Sequence, residues 1–241
     1  QYILIIGSIV ALVFLAVAGN EKRAAAGLTR QNWKSAVLIV LAFVGIYIVR
    51  TVVSVAVQGV SDGSGMQHVK EWAAMFKNPM MWLNIAALPI NYFFVFIAFF
   101  GEEYGWRYYL QPVLQKRFGL RAGVIILGVV WGLWHIPDDL FYYTQTSGIQ
   151  MIFAQQITCI SLGIFFAYAY MKTQNIWVPV CLHYLNNNLI PIISGTFSAD
   201  VLENQTVSWK DLPVALVLNG LCFGFFLLAD VFKKKEVQEE E

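Results

Sequence analysis

The chain alternates long apolar blocks with short polar loops. The blocks are about 20 residues long, which is the length that an α-helix needs to cross the hydrocarbon core of a bilayer. We predict seven spanning helices, at about residues 2–19, 35–57, 80–110, 121–140, 151–171, 175–194 and 212–232. The third block is too long for one perpendicular crossing, and we expect a tilted helix that passes the hydrocarbon edge and ends near Pro112. The predicted fold is all-α: one polytopic transmembrane bundle, a single domain over residues 1–241.

The composition supports this class. The chain is 58% hydrophobic and only 13% charged, with a mean hydropathy of +0.60, whereas soluble domains carry about 25% charged residues. The net charge of +1 and the lack of a basic patch give no indication of nucleic-acid binding. Cys159, Cys181 and Cys222 lie within apolar blocks at no zinc-binding spacing, so we interpret them as small packing residues. The segment Tyr2–Ala18 lacks a basic flank and a cleavage site, which favours a span over a signal peptide.

Lysine and arginine are distributed unequally between the two sets of loops. Eleven lie on one side of the predicted membrane: Lys22, Arg23, Arg30, Lys34, Lys116, Arg117, Arg121, Lys172, Lys233, Lys234 and Lys235. Three lie on the other side: Lys70, Lys77 and Lys210. Basic residues mark cytoplasmic loops, so we expect a cytoplasmic C-terminus and outward-facing loops at 62–78, 138–150 and 195–211. Arg50, inside the second span, is expected to snorkel toward the outer interface or to meet a carboxylate.

Charged residues inside the third span are costly enough to be informative. A charged side chain at mid-membrane costs about 2.5–3.5 kcal/mol on insertion scales, so such residues persist where they pair, line a cavity or take part in chemistry. Glu103 and Arg107 are four residues apart and share a helix face, the spacing of an ion pair. Glu102 points about 100° away, so one carboxylate can be neutralised while its neighbour faces a cavity. A charge cluster at the membrane interface is the structural alternative.

The fourth and sixth spans each carry a histidine. His135 follows Trp131 by four residues and lies about 14 residues beyond a basic loop, well inside the membrane. His183 and Asn187 share a face of the sixth span, and three consecutive asparagines at 186–188 require a polar cavity beside that helix. Taken singly, packing histidines and polar contacts between helices would explain these residues. Together, two carboxylates, two imidazoles and a carboxamide can supply a general base, an assisting group and oxyanion donors within a polar cavity.

The order of these motifs resembles the CPBP family of intramembrane endopeptidases, which includes CAAX prenyl proteases and bacteriocin-processing or immunity proteins. The resemblance rests on three motifs, each in a separate span: Glu102, Glu103 and Arg107; Trp131 and His135; His183 and Asn187. It covers about residues 80–195, the expected catalytic core. The second motif of the family usually begins with Phe, and Trp131 replaces it here, which concerns the shape of the pocket and not the chemistry.

The resemblance implies a hydrolase that cleaves a peptide bond with glutamate-activated water. Glu102 would activate the water with help from His135. The oxyanion would be stabilised by His183 and Asn187, and the ion pair of the third span would hold that helix and its charges in place. The implied substrate is a membrane-associated peptide or a lipidated protein: a prenylated C-terminal tail, a leader peptide with a double-glycine site and a pheromone precursor all fit.

The same resemblance leaves several alternatives open. No cofactor is expected, but a zinc-dependent peptidase is the nearest rival because Glu and His are good zinc ligands, although no H-E-x-x-H pair occurs. A catalytically silent scaffold or bacteriocin-immunity protein could bind a partner in the same cavity. Serine and aspartyl motifs are missing from the sequence, and so are the repeats typical of transporters. We expect a bacterial plasma membrane, with the cavity opening toward the basic, cytoplasmic loops; the sequence gives no indication of oligomeric state.

Overall fold

The computed structural model describes residues 9–10, 13–14, 16–17, 19–63, 65–194 and 199–233. In these ranges every regular element is helical, and no strand occurs. The α-helices are α1 (Asn20–Ala25), α2 (Trp33–Asp62), α3 (Gly65–Lys77), α4 (Pro79–Glu103), α5 (Gln111–Phe118), α6 (Leu120–Trp134), α7 (Ile136–Phe141), α8 (Gly148–Thr173), α9 (Trp177–Ser194), α10 (Ala199–Glu203) and α11 (Asp211–Cys222). A π-helical segment, Tyr104–Leu110, joins α4 to α5, and two 3-10 turns, Gly224–Leu228 and Asp230–Phe232, follow α11. The predicted all-α class is confirmed.

The protein is an integral membrane protein by the length and apolarity of its helices. Four helical segments of the described ranges are long and apolar enough to cross a bilayer: Trp33–Val60, Pro79–Phe118, Leu120–Phe141 and Gly148–Thr173. They match the second to fifth predicted spans, and α9 takes the place of the sixth. The seventh is interrupted, because α11 ends at Cys222 and 3-10 turns continue the chain. The predicted first span, 2–19, falls almost wholly outside the described residues, so the count of seven stays a prediction.

The third span continues further than expected. The helical path runs from α4 through the π-helical segment and α5 and stops only at Gly119, whose φ of 90° suits glycine. The expected end near Pro112 is therefore wrong. Pro112 lies in the first turn of α5, where the missing N–H is tolerated. Just before it, the N–H of Gln111 donates to the carbonyl of Trp106, five residues back, and this wider turn makes room for the proline ring.

The core forms where an apolar face of α2 meets α8. Ile39, Phe43 and Tyr47 follow one another at intervals of four, so they lie on one face of the helix, and all three are buried. Phe43 lies 5.6 Å from Phe165 and 6.0 Å from Phe166 between ring centroids, both on α8. The packing on this side of the bundle is apolar and largely aromatic.

Close packing of α6 on α8 fixes the position of the second motif. A Cβ added to Gly128 would lie 2.6 Å from the Cα of Ile160, so only glycine allows the two backbones to approach this closely. The predicted helix 121–140 is broken at His135, where the N–H bonds to the carbonyl of Gly132 at 3.1 Å and α7 begins with Pro137 in its first turn. His135 consequently lies at the end of α6 and not within a continuous helix.

Candidate active site

The two charged residues of the third span form a fully buried ion pair. Arg107 donates from Nε to Oε2 of Glu103 at 2.8 Å, and neither side chain is exposed. The guanidinium also lies 5.4 Å from the ring centroid of Trp131 and 5.6 Å from that of Phe166, distances at which a cation interacts with an aromatic face. Because an unpaired buried charge is very costly, this arrangement depends on Glu103 being ionised.

Glu103 has a second partner that lies on another helix. The Nδ1 atom of His183, on α9, lies 2.9 Å from Oε1 of Glu103. The imidazole is enclosed by aromatic rings, with centroids 5.1 Å away for Phe99 and 5.4 Å away for Trp131. Glu103 therefore accepts hydrogen bonds with both oxygens and connects α4 and the π-helical segment to α9. The sequence predicted the pair with Arg107, but not this contact.

Glu102 is in a different environment from its neighbour. Its side chain is half-buried, and Oε2 is buried without a hydrogen-bond partner in the described part of the chain. The carboxylate is close enough to interact electrostatically with His183 and Cys159, two residues of the cavity wall. A buried carboxylate oxygen without a partner is unusual and is expected where a water or substrate group binds. The two adjacent glutamates therefore differ: both oxygens of Glu103 accept hydrogen bonds, whereas Glu102 has a buried oxygen without a partner in the described ranges.

The tautomer of His135 follows from its backbone contact. Its Nδ1 lies 2.9 Å from the carbonyl oxygen of Trp131, one turn earlier. A carbonyl only accepts, so we assign the proton of the neutral ring to Nδ1, which leaves the lone pair on Nε2. Cys159 approaches the same ring, with Sγ 3.8 Å from Nδ1. The ring borders the cavity described below, so His135 can accept a hydrogen bond from a bound water.

The three consecutive asparagines have different surroundings. Asn186 accepts a hydrogen bond from the hydroxyl of Tyr47 and donates to Oδ1 of Asn187 at 2.8 Å. Asn187 is exposed at the cavity, and both residues line it. Asn188 instead donates to the carbonyl of Tyr184 at 3.0 Å, one turn earlier on α9. The cavity explains the first two amides, whereas polar contacts within and between helices explain the third.

A polar cavity of about 660 Å³ lies beside these residues. It is lined by Trp131, His135, Asp138, Tyr142, Tyr143, Gln155, Thr158, Cys159, Leu162, His183, Asn186, Asn187, Pro191, Leu202 and Gln205. The lining brings together the second and third sequence motifs, from α6 and α9. Glu103 and Arg107 are not among the lining residues, but Glu103 bonds to His183, which is one of them. A volume of this size lies within the usual range of ligand-binding sites, about 300–1,000 Å³.

The cavity reaches the opposite set of loops from the one we expected. Its outer residues come from the 138–150 connection and from Leu202 and Gln205, which follow α9. Among the described residues, none that lines the cavity belongs to the basic loops at 19–34, 111–121 or 172–176. The expectation that the cavity opens toward the basic loops is therefore wrong. Charge counting assigns loops to a side of the membrane but carries no information about where helices separate.

Sequence analysis missed a group of polar residues in and near the cavity. Asp138, Gln155 and Gln205 line it. Cys159, which we interpreted as a packing residue, is indeed buried, but it also lines the cavity. Asp139 is fully buried, and neither carboxylate oxygen has a partner within the described ranges. The signal in the sequence was the pair of aspartates directly after His135 and Pro137, of which Asp138 lines the cavity.

Arg50 has a partner that neither expectation included. Its Nε donates to the side-chain oxygen of Asn219 at 2.6 Å, and its guanidinium lies 5.7 Å from the ring centroid of Tyr47. The carboxamide on α11 thus takes the place of the expected carboxylate.

Comparison with known proteins agrees with these motifs. Residues 83–189 match the sequence profile of a family described as type II CAAX prenyl endopeptidase Rce1-like. A curated relative from Methanococcus maripaludis, named CAAX prenyl protease 2, is 27% identical over 125 residues, which are 48% of this chain and 45% of the relative. The chain thus spans about half the length of that relative. No solved structure matches it. All the residues that the sequence analysis selected for the site lie within the matched range.

Proposed function

We propose that the chain is an intramembrane endopeptidase that uses glutamate-activated water, on the basis of the match of residues 83–189 to the family described as type II CAAX prenyl endopeptidase Rce1-like. The observation that supports this most is Glu102, which has a buried carboxylate oxygen without a partner in the described part of the chain and interacts electrostatically with His183, a residue that lines the polar cavity. The coarser part of the proposal, a membrane-embedded CAAX-type protease, rests on this match. The contacts of the individual residues support the roles proposed for them below.

Glu102 acts as the general base. It takes a proton from a water molecule while the water oxygen attacks the carbonyl carbon of the scissile peptide bond, and the carbonyl oxygen becomes an oxyanion. The C–N bond then breaks, and the proton passes from Glu102 to the leaving amine. The products are a carboxylic acid and an amine, and the carboxylate of Glu102 is regenerated. General acid–base catalysis of this kind contributes about 10²–10⁴-fold.

His135 assists by holding the water. Its Nδ1–H is engaged with the carbonyl of Trp131, so the neutral ring presents the Nε2 lone pair as an acceptor. An acceptor on His135 and another on Glu102 would fix the two hydrogens of one water molecule and orient its oxygen. Positioning of this type lowers the barrier because the attacking atom is already aligned.

His183 and Asn187 stabilise the oxyanion. Asn187 offers an amide N–H donor at the cavity surface. His183 already donates from Nδ1 to Glu103, so it can donate from Nε2 only when the ring carries both protons. A protonated ring is compatible with the local charges, because the two glutamates and Arg107 together carry one negative charge. The pair of Glu103 and Arg107 positions His183 without touching the substrate.

The proposed substrate is a peptide segment or a prenylated protein held at a lipid bilayer, and the proposed location is a bacterial plasma membrane with a cytoplasmic C-terminus. The relative from Methanococcus maripaludis is named for a prenylated class of substrate. The two classes differ in what must enter the cavity: a free C-terminus with its lipid, or an internal stretch of chain.

The test is a comparison of cells that produce the wild type or the Glu102→Gln variant at equal levels. Mass spectrometry of small peptides and of membrane-protein termini should reveal products that disappear with the variant. The matched control is Glu21→Gln, which removes the same charge from an exposed position and should leave every product in place. If the Glu102→Gln variant yields the same products as the wild type, Glu102 is not the base. A phenotype that persists without cleavage would favour the alternative of a silent binding protein.

A further inference from the structure

A second cavity, of about 960 Å³, lies between the basic segment 19–34 and α4. Its described lining residues are Ala16, Arg23, Ala24, Leu28, Thr29, Arg30, Pro89, Tyr92, Phe93, Phe96 and Trp177. None of these residues also lines the polar cavity beside His135 and His183. The second cavity is therefore a separate site, and the proposed reaction does not use it.

The basic segment is fixed to the bundle by its own hydrogen bonds. The side-chain amide of Asn32 donates to the carbonyl of Thr173, at the end of α8, at 3.0 Å. The hydroxyl of Tyr104, in the π-helical segment, donates to the carbonyl of Ala26 at 2.9 Å. The protein therefore forms this wall of the cavity by itself, and a ligand would meet a site that is already built.

Two arginines give the cavity a positive charge. The Nε atom of Arg23 is buried and has no hydrogen-bond partner in the described part of the chain. Neither Arg23 nor Arg30 forms an ion pair there, and none of the described lining residues is acidic. Because a buried guanidinium N–H without an acceptor is costly, an anionic group of a ligand is the expected partner.

The opposite wall is largely apolar and belongs to a membrane span. Pro89, Phe93 and Phe96 lie on α4, inside the span Pro79–Phe118, and extend over about 10 Å of the helix axis. Phe93 is 72% exposed, and the ring of Trp177 lies 6.2 Å from that of Phe96 between centroids. The cavity thus has charge on the side of the loop and an apolar surface along the membrane helix, which matches an amphipathic ligand.

From this arrangement we propose that the cavity binds an anionic phospholipid of the cytoplasmic leaflet, with its phosphate at Arg23 and Arg30 and an acyl chain along α4. In the orientation proposed above, the basic loops face that leaflet, whose anionic headgroups attract basic segments of membrane proteins. The apolar wall favours a lipid over a free phosphate, and the two arginines favour an anionic headgroup over a zwitterionic one. The lipid site does not depend on the proposed protease function.

The test is lipid binding to the purified full chain in detergent, followed by native mass spectrometry. The probes are phosphatidylglycerol, phosphatidylcholine with the same acyl chains, and glycerol phosphate, which has the anionic group but no chains. Phosphatidylglycerol should bind more tightly than phosphatidylcholine, and glycerol phosphate should bind far more weakly than either charge or chain length alone would allow if the headgroup were sufficient. Phosphatidylcholine binding as tightly as phosphatidylglycerol would indicate a purely apolar pocket, and glycerol phosphate doing so would indicate a simple anion site; either result would overturn the proposal.

Charge variants test the two arginines. Arg30→Gln, at an exposed position that the fold does not need, should weaken phosphatidylglycerol binding about fivefold, as expected for one basic residue at a membrane surface. Arg23→Gln should weaken it at least as much, because its Nε is buried. The matched control is Lys22→Gln, which removes the same charge from an exposed position of α1 outside the cavity and should bind like the wild type. Equal weakening by Lys22→Gln would overturn the proposal, since the general charge of the segment would then attract the lipid.

A further variant tests the space for the acyl chain. Ala24 lines the cavity and is exposed, so Ala24→Trp should fold normally while its bulky side chain fills the site. Both arginines remain in this variant, and phosphatidylglycerol binding should nevertheless be lost. Binding at the wild-type level in Ala24→Trp would show that the lipid lies elsewhere and would overturn the proposal.

Discussion

The Nδ1 atom of His183 lies 2.9 Å from Oε1 of Glu103, although 80 residues separate the two along the chain. The same carboxylate holds Arg107 through its other oxygen, at 2.8 Å. Glu102, one residue earlier, has a buried oxygen without a partner in the described part of the chain. Two adjacent and chemically identical residues therefore have distinct tasks, one in holding helices together and one in the proposed reaction.

Replacement of the two glutamates should separate stability from activity. The Glu103→Gln variant leaves the guanidinium of Arg107 buried without its counter-charge, which typically costs about 3–5 kcal/mol. We expect a clear fall in the midpoint of thermal unfolding in detergent. The Glu102→Gln variant changes a carboxylate that has no ion pair within the described ranges and should unfold at nearly the wild-type temperature while losing turnover. Equal destabilisation by both changes would contradict the division of roles.

The neighbouring asparagines of α9 provide a second matched pair. Asn187→Ala removes the donor at the cavity and should lower kcat by about 10²–10³-fold with little change in KM, as expected for an oxyanion contact. Asn188→Ala removes an amide that bonds to the backbone of Tyr184 and should leave kcat near the wild-type value. Steady-state kinetics on a substrate found by the product comparison would distinguish them. A large loss of kcat in Asn188→Ala would mean that the effects spread through the helix.

Whether the sequence predicted a contact in this site depends on how far apart its two residues lie along the chain. The pairing of Glu103 with Arg107 lies within one helix, so spacing alone was enough to predict it. The contact of Glu103 with His183 requires α4 and α9 to pack side by side at one register, and no local pattern carries that information. The continuation of the helix past Pro112 was missed for a related reason, because the wider π-helical turn that accommodates the proline has no clear signature in the sequence.

Loss of the histidine of the second motif should reduce the activity strongly, whereas a change of its aromatic residue should reduce it only slightly. His135→Ala removes the acceptor that orients the water and should lower kcat by about 10²-fold or more. Trp131→Phe introduces the residue that is usual at this position in the CPBP family, which the motifs of this chain resemble. It should retain most activity, because the indole N–H of Trp131 has no partner within the described ranges and an aromatic face remains for Arg107. Retained activity in His135→Ala would remove this histidine from the mechanism.

The close contact between α6 and α8 leads us to predict an effect of substitution on the stability of the protein. Gly128→Ala would bring a Cβ to 2.6 Å from the backbone of Ile160 and should destabilise the protein by about 1–3 kcal/mol, the usual cost of overpacking. Gly45→Ala on α2, with open space around the added atom, is the control and should be neutral or stabilising by about 0.5–1 kcal/mol. Thermal unfolding of both variants in the same detergent gives the comparison. A neutral Gly128→Ala would mean that the two helices pack less closely than described.

Removal of metal should leave the activity unchanged. In the described part of the chain, no three or more His, Cys, Asp or Glu residues are grouped so that they could hold a metal ion. The Nδ1 atoms of His135 and His183 are engaged by a carbonyl and a carboxylate, which leaves one nitrogen on each ring. The purified protein should therefore keep its full activity after treatment with EDTA and dialysis, at a zinc content well below one per chain. Loss of activity that added zinc restores would show the opposite: Glu102 and the two histidines would then be metal ligands, and the water would be activated by zinc and not by the glutamate.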